Sequence, residues 1–233
     1  MKVVVLTGAG ISAESGVPTF RGEDGLWEGH RPEDVATPEA FDADRALVQR
    51  FYDARRASLA RVQPNAAHRA LAELEQVLGD DLLLVTQNID DLHERGGSKR
   101  VLHMHGELRA AWCTACDQRT PWLGTLLDEP PCPACGAHAL RPDVVWFGEM
   151  PYEMDTIHLA LFSCDLFVSI GTSGVVYPAA GFVDYAAAGG ADTLELNLER
   201  AANSDFRVSR QGLASELVPA WVGELTATLQ AGA

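Results

Sequence analysis

The chain has 233 residues, of which 47% are hydrophobic, so it can bury one sizeable core and a small second lobe. Its formal charge of −15 disfavours nucleic-acid binding through a basic face and fits a cationic partner such as a lysine-rich peptide. No apolar run approaches the roughly 20 residues that span a bilayer, and the first residues lack the pattern of a signal peptide. We therefore expect a cytoplasmic protein that binds neither membranes nor nucleic acid.

The first eighty residues predict one buried strand and two long helices. Residues 3–7 are an apolar run bounded by glycine, which is typical of a buried parallel strand. A short helix is predicted to begin within residues 12–16, whereas residues 17–37 contain too many helix breakers for a regular element. Apolar residues at helical spacing then predict amphipathic helices over residues 43–61 and 65–78.

Three more short apolar strands are predicted at residues 82–86, 167–170 and 193–197. Helical stretches separate the strands, which indicates an α/β fold with a Rossmann-like, doubly wound parallel sheet. In such sheets ligands bind at the carboxyl ends of the strands. Polar clusters stand at four predicted strand ends, at residues 8–12, 87–90, 171–173 and 197–199. Their shared position predicts a nucleotide site at one edge of the sheet.

A glycine-rich turn follows the first strand. Gly8, Gly10 and Ala13 fit the pattern G-x-G-x-x-A, in which the glycines permit a tight turn and close approach to a pyrophosphate. The helix N-terminus would add N–H donors for the phosphates. Asp24 and Glu28 fall in a loop, so the acidic residue that completes a dehydrogenase fingerprint has no clear counterpart. The turn indicates a dinucleotide or phosphate site, and a plain turn is the alternative.

Four of the five cysteines form two C-x-x-C pairs that 15 residues separate. In a reducing compartment this arrangement favours a metal over disulfides. Four thiolates fill the tetrahedral coordination of Zn²⁺ and leave no open position, which indicates one structural zinc ion, with redox pairs as the alternative. The fifth cysteine, Cys164, is expected to pack in the core. The predicted zinc ligands are Cys113, Cys116, Cys132 and Cys135.

Two histidines, His103 and His105, lie two residues apart before Gly106. On a strand they would share a face, which is compatible with a metal site. The cysteines already satisfy one zinc ion, however, and no third ligand is evident. An imidazole titrates near neutral pH, so a general base is the better functional interpretation.

Tyr52 and Arg55 lie at positions i and i+3 of the helix predicted over residues 43–61, so they share one side of it. A guanidinium binds a carboxylate through a planar fork, and a tyrosine hydroxyl can add a third donor. An ordinary solvent-facing pair is the alternative interpretation.

Together these motifs resemble the sirtuins, the NAD-dependent protein-lysine deacylases. The resemblance covers nearly the whole chain in order, and the joint occurrence of its blocks is specific. The matching segments are residues 8–22, 86–93, 103–108, the four paired cysteines, and residues 141–149, 171–173 and 197–199.

The resemblance implies a single catalytic unit over residues 1–233, with NAD and acyl-lysine meeting between a large domain and a small inserted zinc-binding lobe. The large NAD-binding domain is expected to comprise about residues 1–30, 66–106 and 146–233. The small lobe is expected to comprise a helical part at about residues 31–65 and a zinc ribbon at about residues 107–145.

The resemblance also implies the reaction. NAD is a consumed co-substrate: the acyl oxygen attacks the nicotinamide ribose, and nicotinamide leaves. His105 is expected to act as the general base on the ribose hydroxyls, and Asn88 and Asp90 complete the predicted catalytic set. The products are nicotinamide, free lysine and an O-acyl-ADP-ribose, and the partners are acylated-lysine proteins or peptides.

Two further sets of residues follow from the resemblance. The strip that pairs with the substrate backbone by strand addition is expected at Val144, Trp146, Phe147 and Gly148. The residues expected to bind NAD are Gly8, Ala9, Gly10, Ser12, Phe20, Arg21, Gln87, Asn88, Ile89, Asp90, Gly171, Thr172, Ser173, Asn197 and Ala214.

Tyr52 and Arg55 resemble the acyl-pocket pair of the sirtuin subgroup that removes succinyl and related acidic groups. A buried guanidinium carries a desolvation cost that a carboxylate on the acyl chain would offset. The sequence therefore predicts removal of succinyl or malonyl groups as well as acetyl groups. The alternatives are protein mono-ADP-ribosyl transfer, against which this pair argues, and a non-catalytic NAD-sensing or zinc-ribbon module, against which His105, Asn88 and Asp90 argue.

Overall fold

The computed structural model describes residues 1–19, 27, 29–201 and 205–231. Its strands are β1 (Val3–Thr7), β2 (Leu82–Thr86), β3 (Val101–His103), β4 (Gly106–Cys113), β5 (Arg119–Pro121), β6 (Leu140–Val144), β7 (Leu166–Ile170), β8 (Asp192–Asn197) and β9 (Val208–Gln211). Six of them form a parallel sheet in the order β3-β2-β1-β7-β8-β9. The chain therefore reverses direction across the sheet between β1 and β7, which is the doubly wound order. The predicted fold class is confirmed.

Helices cover both faces of the parallel sheet. The helices of the described chain are α1 (Ala9–Ala13), α2 (Pro32–Val35), α3 (Pro38–Ala43), α4 (Arg45–Leu59), α5 (Ala66–Leu78), α6 (Leu92–Gly96), α7 (Met154–Ser163), α8 (Phe182–Ala188) and α9 (Ala214–Ala231). Side chains of a strand alternate between its faces. Val3 and Val5 accordingly pack with α5 and α9, whereas Val4 and Leu6 pack with α7 and α8. None of the described helices has the length and apolarity needed to cross a membrane.

A second, antiparallel sheet joins three strands in the order β5-β4-β6. Helix α4 packs against it through a separate core that contains Val48, Phe51, Leu108 and Val144. This pairing of a helix with a small sheet places Tyr52 and Arg55 beside the parallel sheet's ligand edge. The predicted domain boundaries stay predictions.

Two charged residues of α4 hold it to the loop that follows β5. The Asp53 carboxylate accepts a hydrogen bond from the backbone N–H of Leu126 at 3.1 Å. It also forms an ion pair with Arg56 at 2.6 Å. The Arg56 guanidinium also donates to the carbonyl of Leu108 at 2.8 Å. The helix is therefore fixed on both the small sheet and the cysteine-bearing loops.

The first helix begins earlier than predicted. Helix α1 begins at Ala9, not within residues 12–16, because Gly8 in extended conformation already starts the helical turn. The segment over residues 17–37, predicted to be irregular, contains helix α2, in which Pro32 occupies the first position. Proline suits that position because its fixed φ is already helical and its missing N–H is not needed.

The helix predicted over residues 43–61 is shorter, since α4 runs from Arg45 to Leu59. Asp44 ends one helix and begins the next: its side chain accepts the N–H of Leu47 at 2.9 Å as an N-cap. The second predicted helix, at residues 65–78, is confirmed as α5 with Asn65 as its N-cap.

Candidate active site

A cavity of about 930 Å³ opens between the carboxyl ends of the parallel strands and the small antiparallel sheet. Its size lies at the upper end of the range for small-molecule sites. All four polar clusters that the sequence places at strand ends contribute to its wall. The predicted site residues on the wall are Gly8, Ala9, Gly10, Tyr52, Arg55, Gln87, Asn88, Ile89, Asp90, His105, Val144, Trp146, Phe147, Gly148, Gly171, Thr172, Ser173, Asn197 and Ala214.

Among the predicted site residues that the structure describes, Ser12 is not on this wall. Ser12 is fully buried behind it. Phe20 and Arg21, predicted to bind NAD, lie outside the described residues.

The glycine turn makes hydrogen bonds within the protein, and the phosphate site expected at this turn stays a prediction. The N–H of Gly10 donates to the carbonyl of Gly171 at 2.9 Å, and the N–H of Ile11 donates to the carbonyl of Gly8 at 3.2 Å. These two donors at the start of α1 are therefore used within the protein. The glycines bring the turn after β1 against the turn after β7, at the switch point where dinucleotides bind.

Asn88 is fixed by hydrogen bonds to the turn after β1, to α1 and to the end of β2. Its side-chain N–H₂ group donates to the carbonyl of Gly8 at 3.0 Å and to the hydroxyl of Ser12 at 3.2 Å, and its backbone N–H donates to Thr86 Oγ1 at 3.0 Å. Both amide hydrogens are thereby used, so the amide oxygen is the group that Asn88 presents to a ligand. Ser12 acts on the site through Asn88 although it does not face the cavity.

Sequence reasoning missed a row of buried polar side chains behind Asn88. His93 Nε2 lies 2.9 Å from Thr7 Oγ1, which donates to Thr86 Oγ1 at 2.8 Å. Nearby, His68 Nε2 lies 3.4 Å from the hydroxyl of Ser12. Burial lowers the pKa of His93 well below its ordinary value and lowers that of His68 to about 4, so both imidazoles are neutral. The sequence signal that could have revealed this row is a threonine at the last position of two apolar strands, Thr7 in β1 and Thr86 in β2.

Asp90 is a buried carboxyl group on the cavity wall. Burial raises its pKa, and hydrogen bonds from the N–H of Leu92, at 3.1 Å, and from Ser12 oppose that rise. Ser12, which accepts a hydrogen bond from Asn88, therefore lies behind both of these predicted catalytic groups.

The structure separates the roles of the two neighbouring histidines. His105 lies on the cavity wall, and its Nδ1 is 3.0 Å from the carbonyl of Gln87. A carbonyl only accepts, so Nδ1 carries the proton and Nε2 is the basic nitrogen. Burial lowers the pKa of His105, and the Gln87 bond partly opposes this, so the imidazole is neutral near pH 7.

His103, in contrast, has both ring nitrogens in contact with other groups of the protein. Its Nε2 lies 2.8 Å from the carboxylate of Glu94, and its Nδ1 lies 3.1 Å from the carbonyl of Asn88. Burial opposes the positive charge of His103, but the Glu94 contact outweighs it and raises the pKa. His103 is not among the residues that line the cavity.

Tyr52 and Arg55 form a buried pair on the opposite wall. Tyr52 is fully buried and Arg55 is 7% exposed, so the solvent-facing interpretation of this pair is wrong. The Arg55 guanidinium stacks over the ring of Trp27 at 4.2 Å. Burial raises the pKa of Tyr52, so its hydroxyl keeps its proton. The pair thus offers a cation and a hydroxyl in a desolvated position.

The strip from Val144 to Gly148 borders the same wall, but its backbone donors are partly used. The N–H of Val145 bonds to the carbonyl of His105 at 2.9 Å, and that of Phe147 bonds to the carbonyl of Ala36 at 3.0 Å. Strand addition at this strip stays a prediction.

The four paired cysteines converge at one point. All their sulfur atoms lie within 4.8 Å of one another, with 3.7 Å between those of Cys113 and Cys135 and 3.8 Å between those of Cys116 and Cys132. Four sulfurs at about 2.3 Å from a tetrahedral zinc ion are about 3.8 Å apart, so the cluster fits Zn²⁺. Backbone N–H groups, first that of Cys135, lower the pKa of Cys132 to about 7. This helps to supply a thiolate.

A doubly wound sheet, a cavity at its switch point and a four-cysteine cluster are typical of an α/β protein that binds a dinucleotide and carries a zinc lobe. The model of the Sir2 family matches residues 8–178, which is more than half of the chain. The chain belongs to the Sir2 family, and the resemblance drawn from the sequence is confirmed.

Named relatives and solved structures agree with this membership. The chain is 57% identical over 235 residues to an NAD-dependent protein deacylase of Escherichia coli K12, which covers 99% of this chain and 84% of the relative. It is 58% identical over 230 residues to an NAD-dependent protein deacylase of Yersinia pestis, which covers 97% and 83%. A solved complex of a Sir2 homolog with NAD is 42% identical, with a TM-score of 0.88, over 98% of this chain and 90% of that chain.

A more distant structure adds a peptide and a product. This Sir2 structure holds a deacetylated p53 peptide and 3′-O-acetyl ADP ribose; it is 28% identical, with a TM-score of 0.83, over 97% of this chain and 94% of that chain.

Proposed function

We propose that this chain is an NAD-dependent protein-lysine deacylase that removes succinyl and malonyl groups as well as acetyl groups. The observation that carries this proposal is the placement of two unlike groups on facing sides of one cavity. His105, Asn88 and Asp90 lie at the carboxyl ends of the parallel strands, and Tyr52 and Arg55 lie across from them on α4. The names of the relatives and of the peptide and product complex support the reaction class.

The residues at the carboxyl ends of the parallel strands orient the nicotinamide group and exclude water in this proposal. NAD supplies an electrophilic ribose carbon with nicotinamide as its leaving group, and the acyl oxygen of the substrate attacks that carbon. The amide oxygen of Asn88 and the buried carboxyl group of Asp90 orient the nicotinamide carboxamide. Ile89 is an apolar part of the wall that excludes water from the reacting centre.

His105 moves the proton. Its Nε2 takes a proton from a ribose hydroxyl because Nδ1 is already bonded to Gln87. The lowered pKa keeps this nitrogen unprotonated at neutral pH. The zinc ion takes no part in these steps, because four thiolates leave it no open position.

Tyr52 and Arg55 select the acyl group in this proposal. A carboxylate at the end of the acyl chain would accept from the Arg55 guanidinium and the Tyr52 hydroxyl, and charge-assisted bonds of this kind are the strong ones. An acetyl group has no carboxylate and makes neither of these bonds. The preference for acidic acyl groups is therefore set where the end of the acyl chain binds, at Tyr52 and Arg55, and not at the reacting centre.

We also infer that the protein works in the cytoplasm on acylated-lysine proteins and binds neither nucleic acid nor membrane. The formal charge of −15 supports lysine-rich substrates over polyanions.

The test is mass spectrometry on one lysine peptide in acetyl and succinyl forms, with and without NAD. NAD-dependent loss of succinyl faster than acetyl is expected. Faster loss of acetyl would contradict the acidic preference and leave the deacylase mechanism in place. NAD consumption with ADP-ribose left on the protein, and no loss of either acyl group, would instead indicate mono-ADP-ribosyl transfer.

A further inference from the structure

Trp146 is held rigidly beside the acyl pocket by a buried ion pair. Arg141, which is 5% exposed, donates from both terminal nitrogens to Glu149, at 2.6 and 2.9 Å. The Arg141 guanidinium also lies 3.3 Å from the centre of the Trp146 ring, and Glu149 accepts the backbone N–H of Trp146 at 2.8 Å. The ring and the backbone of Trp146 are therefore fixed by the same pair.

The fixed indole controls the hydroxyl of Tyr52. Trp146 Nε1 lies 2.9 Å from Tyr52 Oη. An indole N–H can only donate, so the Tyr52 oxygen is the acceptor and its own proton must point elsewhere. Over the described parts of the chain, that oxygen has Trp146 as its hydrogen-bond partner, and Tyr52 lines the cavity. The phenol proton is therefore left free to point into the cavity that Tyr52 lines.

We propose that Trp146 is a positioning residue for acyl selection: its indole N–H makes the Tyr52 hydroxyl a donor to the end of the acyl chain. This inference rests on the proposed function and deepens it. With Arg55 beside it, the end of the pocket presents donors to the ligand. A group that only accepts, such as a carboxylate, satisfies them all. A terminal carboxamide of equal size brings its own N–H groups against these donors and is rejected.

The test is a double-mutant cycle on Trp146→Phe and Tyr52→Phe with succinyl and acetyl peptides. Trp146→Phe is expected to raise KM for the succinyl peptide about tenfold, with kcat within about twofold, since about 1.4 kcal/mol of hydrogen bonding equals a factor of ten. The ratio of succinyl to acetyl kcat/KM should fall accordingly. In the Tyr52→Phe background, Trp146→Phe should change that ratio less than twofold, because Trp146 acts through the missing hydroxyl.

Trp112→Phe is the matched control. The Trp112 ring also packs on Arg141, at 4.9 Å, but its indole donates to Asp117, away from the cavity. This variant should keep the wild-type succinyl-to-acetyl ratio. Replacing Trp146 with 3-benzothienylalanine, which keeps the two fused rings and removes the N–H, should reproduce the Trp146→Phe ratio even if the phenylalanine variant folds poorly.

Two outcomes would overturn the inference, and they are distinguishable. A wild-type protein without NAD-dependent succinyl removal would overturn the proposed acyl preference and this inference together. A wild-type protein with that activity, but with Trp146→Phe lowering the ratio by the same factor with and without the Tyr52 hydroxyl, would overturn the role of Trp146 alone.

Discussion

Gly10 and Gly171 pack backbone against backbone, and a Cβ atom on Gly10 would lie 2.7 Å from the Cα of Gly171. Real Cβ atoms essentially never approach another atom this closely. The two turns belong to strands whose residues are about 160 positions apart, and they meet at the switch point of the sheet. The glycines are thus needed for the contact between the two turns, which borders the cavity.

Gly10→Ala is expected to lower the free energy of unfolding by roughly 1–3 kcal/mol, because backbone must move to admit the methyl group. Urea denaturation checks the stability, and titration with NAD should show weaker binding. Gly223→Ala is the control: it lies in α9, nothing lies within 4 Å of the added carbon, and alanine should stabilise the helix by about 0.5–1 kcal/mol. Equal stability of the two variants would refute the steric argument.

Arg55→Met is expected to remove desuccinylation selectively. Loss of a charge-assisted bond of about 1.5–3 kcal/mol should lower succinyl kcat/KM by about 10- to 150-fold, while acetyl kcat/KM stays within a fewfold range. Arg50→Met, on the exposed side of the same helix, is the matched control. Equal loss of both activities in Arg55→Met would count against the acidic acyl pocket.

His105→Ala should lower kcat by about 10²- to 10⁴-fold while NAD still binds, since a general base contributes about that much. A base acts only when unprotonated, so a pKa lowered by burial moves the acidic limb of the pH–rate profile below the ordinary histidine range. Kinetics between pH 5 and 8 measure that limb. His103→Gln should keep both the rate and the limb; if it abolished the limb, His103 would be the titrating group.

His68 and His93 should make the fold sensitive to acid. Their folded pKa values are lowered, so the unfolded chain binds more protons, and their stabilisation is complete above about pH 6.5 and is lost as pH falls. For His68, whose pKa is about 4, the full loss amounts to roughly 3 kcal/mol. Urea unfolding at pH 7.5, 6 and 5 measures the slope. His68→Asn should flatten it, whereas His158→Gln, which alters a ring tilted against that of Tyr185 and outside this buried row, should not.

Cys135→Ser should abolish binding of the single zinc ion, because three thiolates remain where four fit the tetrahedral site. Cys164→Ser should retain one zinc ion per chain, since Cys164 lies apart from the cluster, in the core beside α7. Elemental analysis of the purified variants gives the ratio directly. Full zinc content in Cys135→Ser would argue against a four-cysteine site.

The sequence predicted best what depends on neighbouring residues. The strand at residues 3–7, the helix at 65–78 and the cysteine spacing each carry their information locally, and the structure confirms all three. The i, i+3 spacing on a helix also correctly predicted that Tyr52 lies beside Arg55. The start of α1 was wrong because a backbone turn at Gly8, not a side-chain cap, begins that helix.

Contacts between distant residues could not be predicted in this way. Thr7 and Thr86 are 79 positions apart, and Tyr52 and Trp146 are 94 apart, yet each pair shares a hydrogen bond. No local pattern distinguishes His105 from His103 either. Burial lowers the pKa of both imidazoles, but at His103 the Glu94 carboxylate and further neighbours outweigh burial, so the two pKa values move in opposite directions.

Helix α4 carries two pairs of residues in register, Tyr52 with Arg55 and Asp53 with Arg56. The first pair faces the cavity, and the second holds the helix to the small sheet and the loop after β5. Because the pairs occupy adjacent sides, substitutions at positions 52 and 55 leave the anchoring contacts intact. The acyl-group specificity of this fold can therefore change through substitutions at two positions, while the contacts that hold α4 in place stay the same.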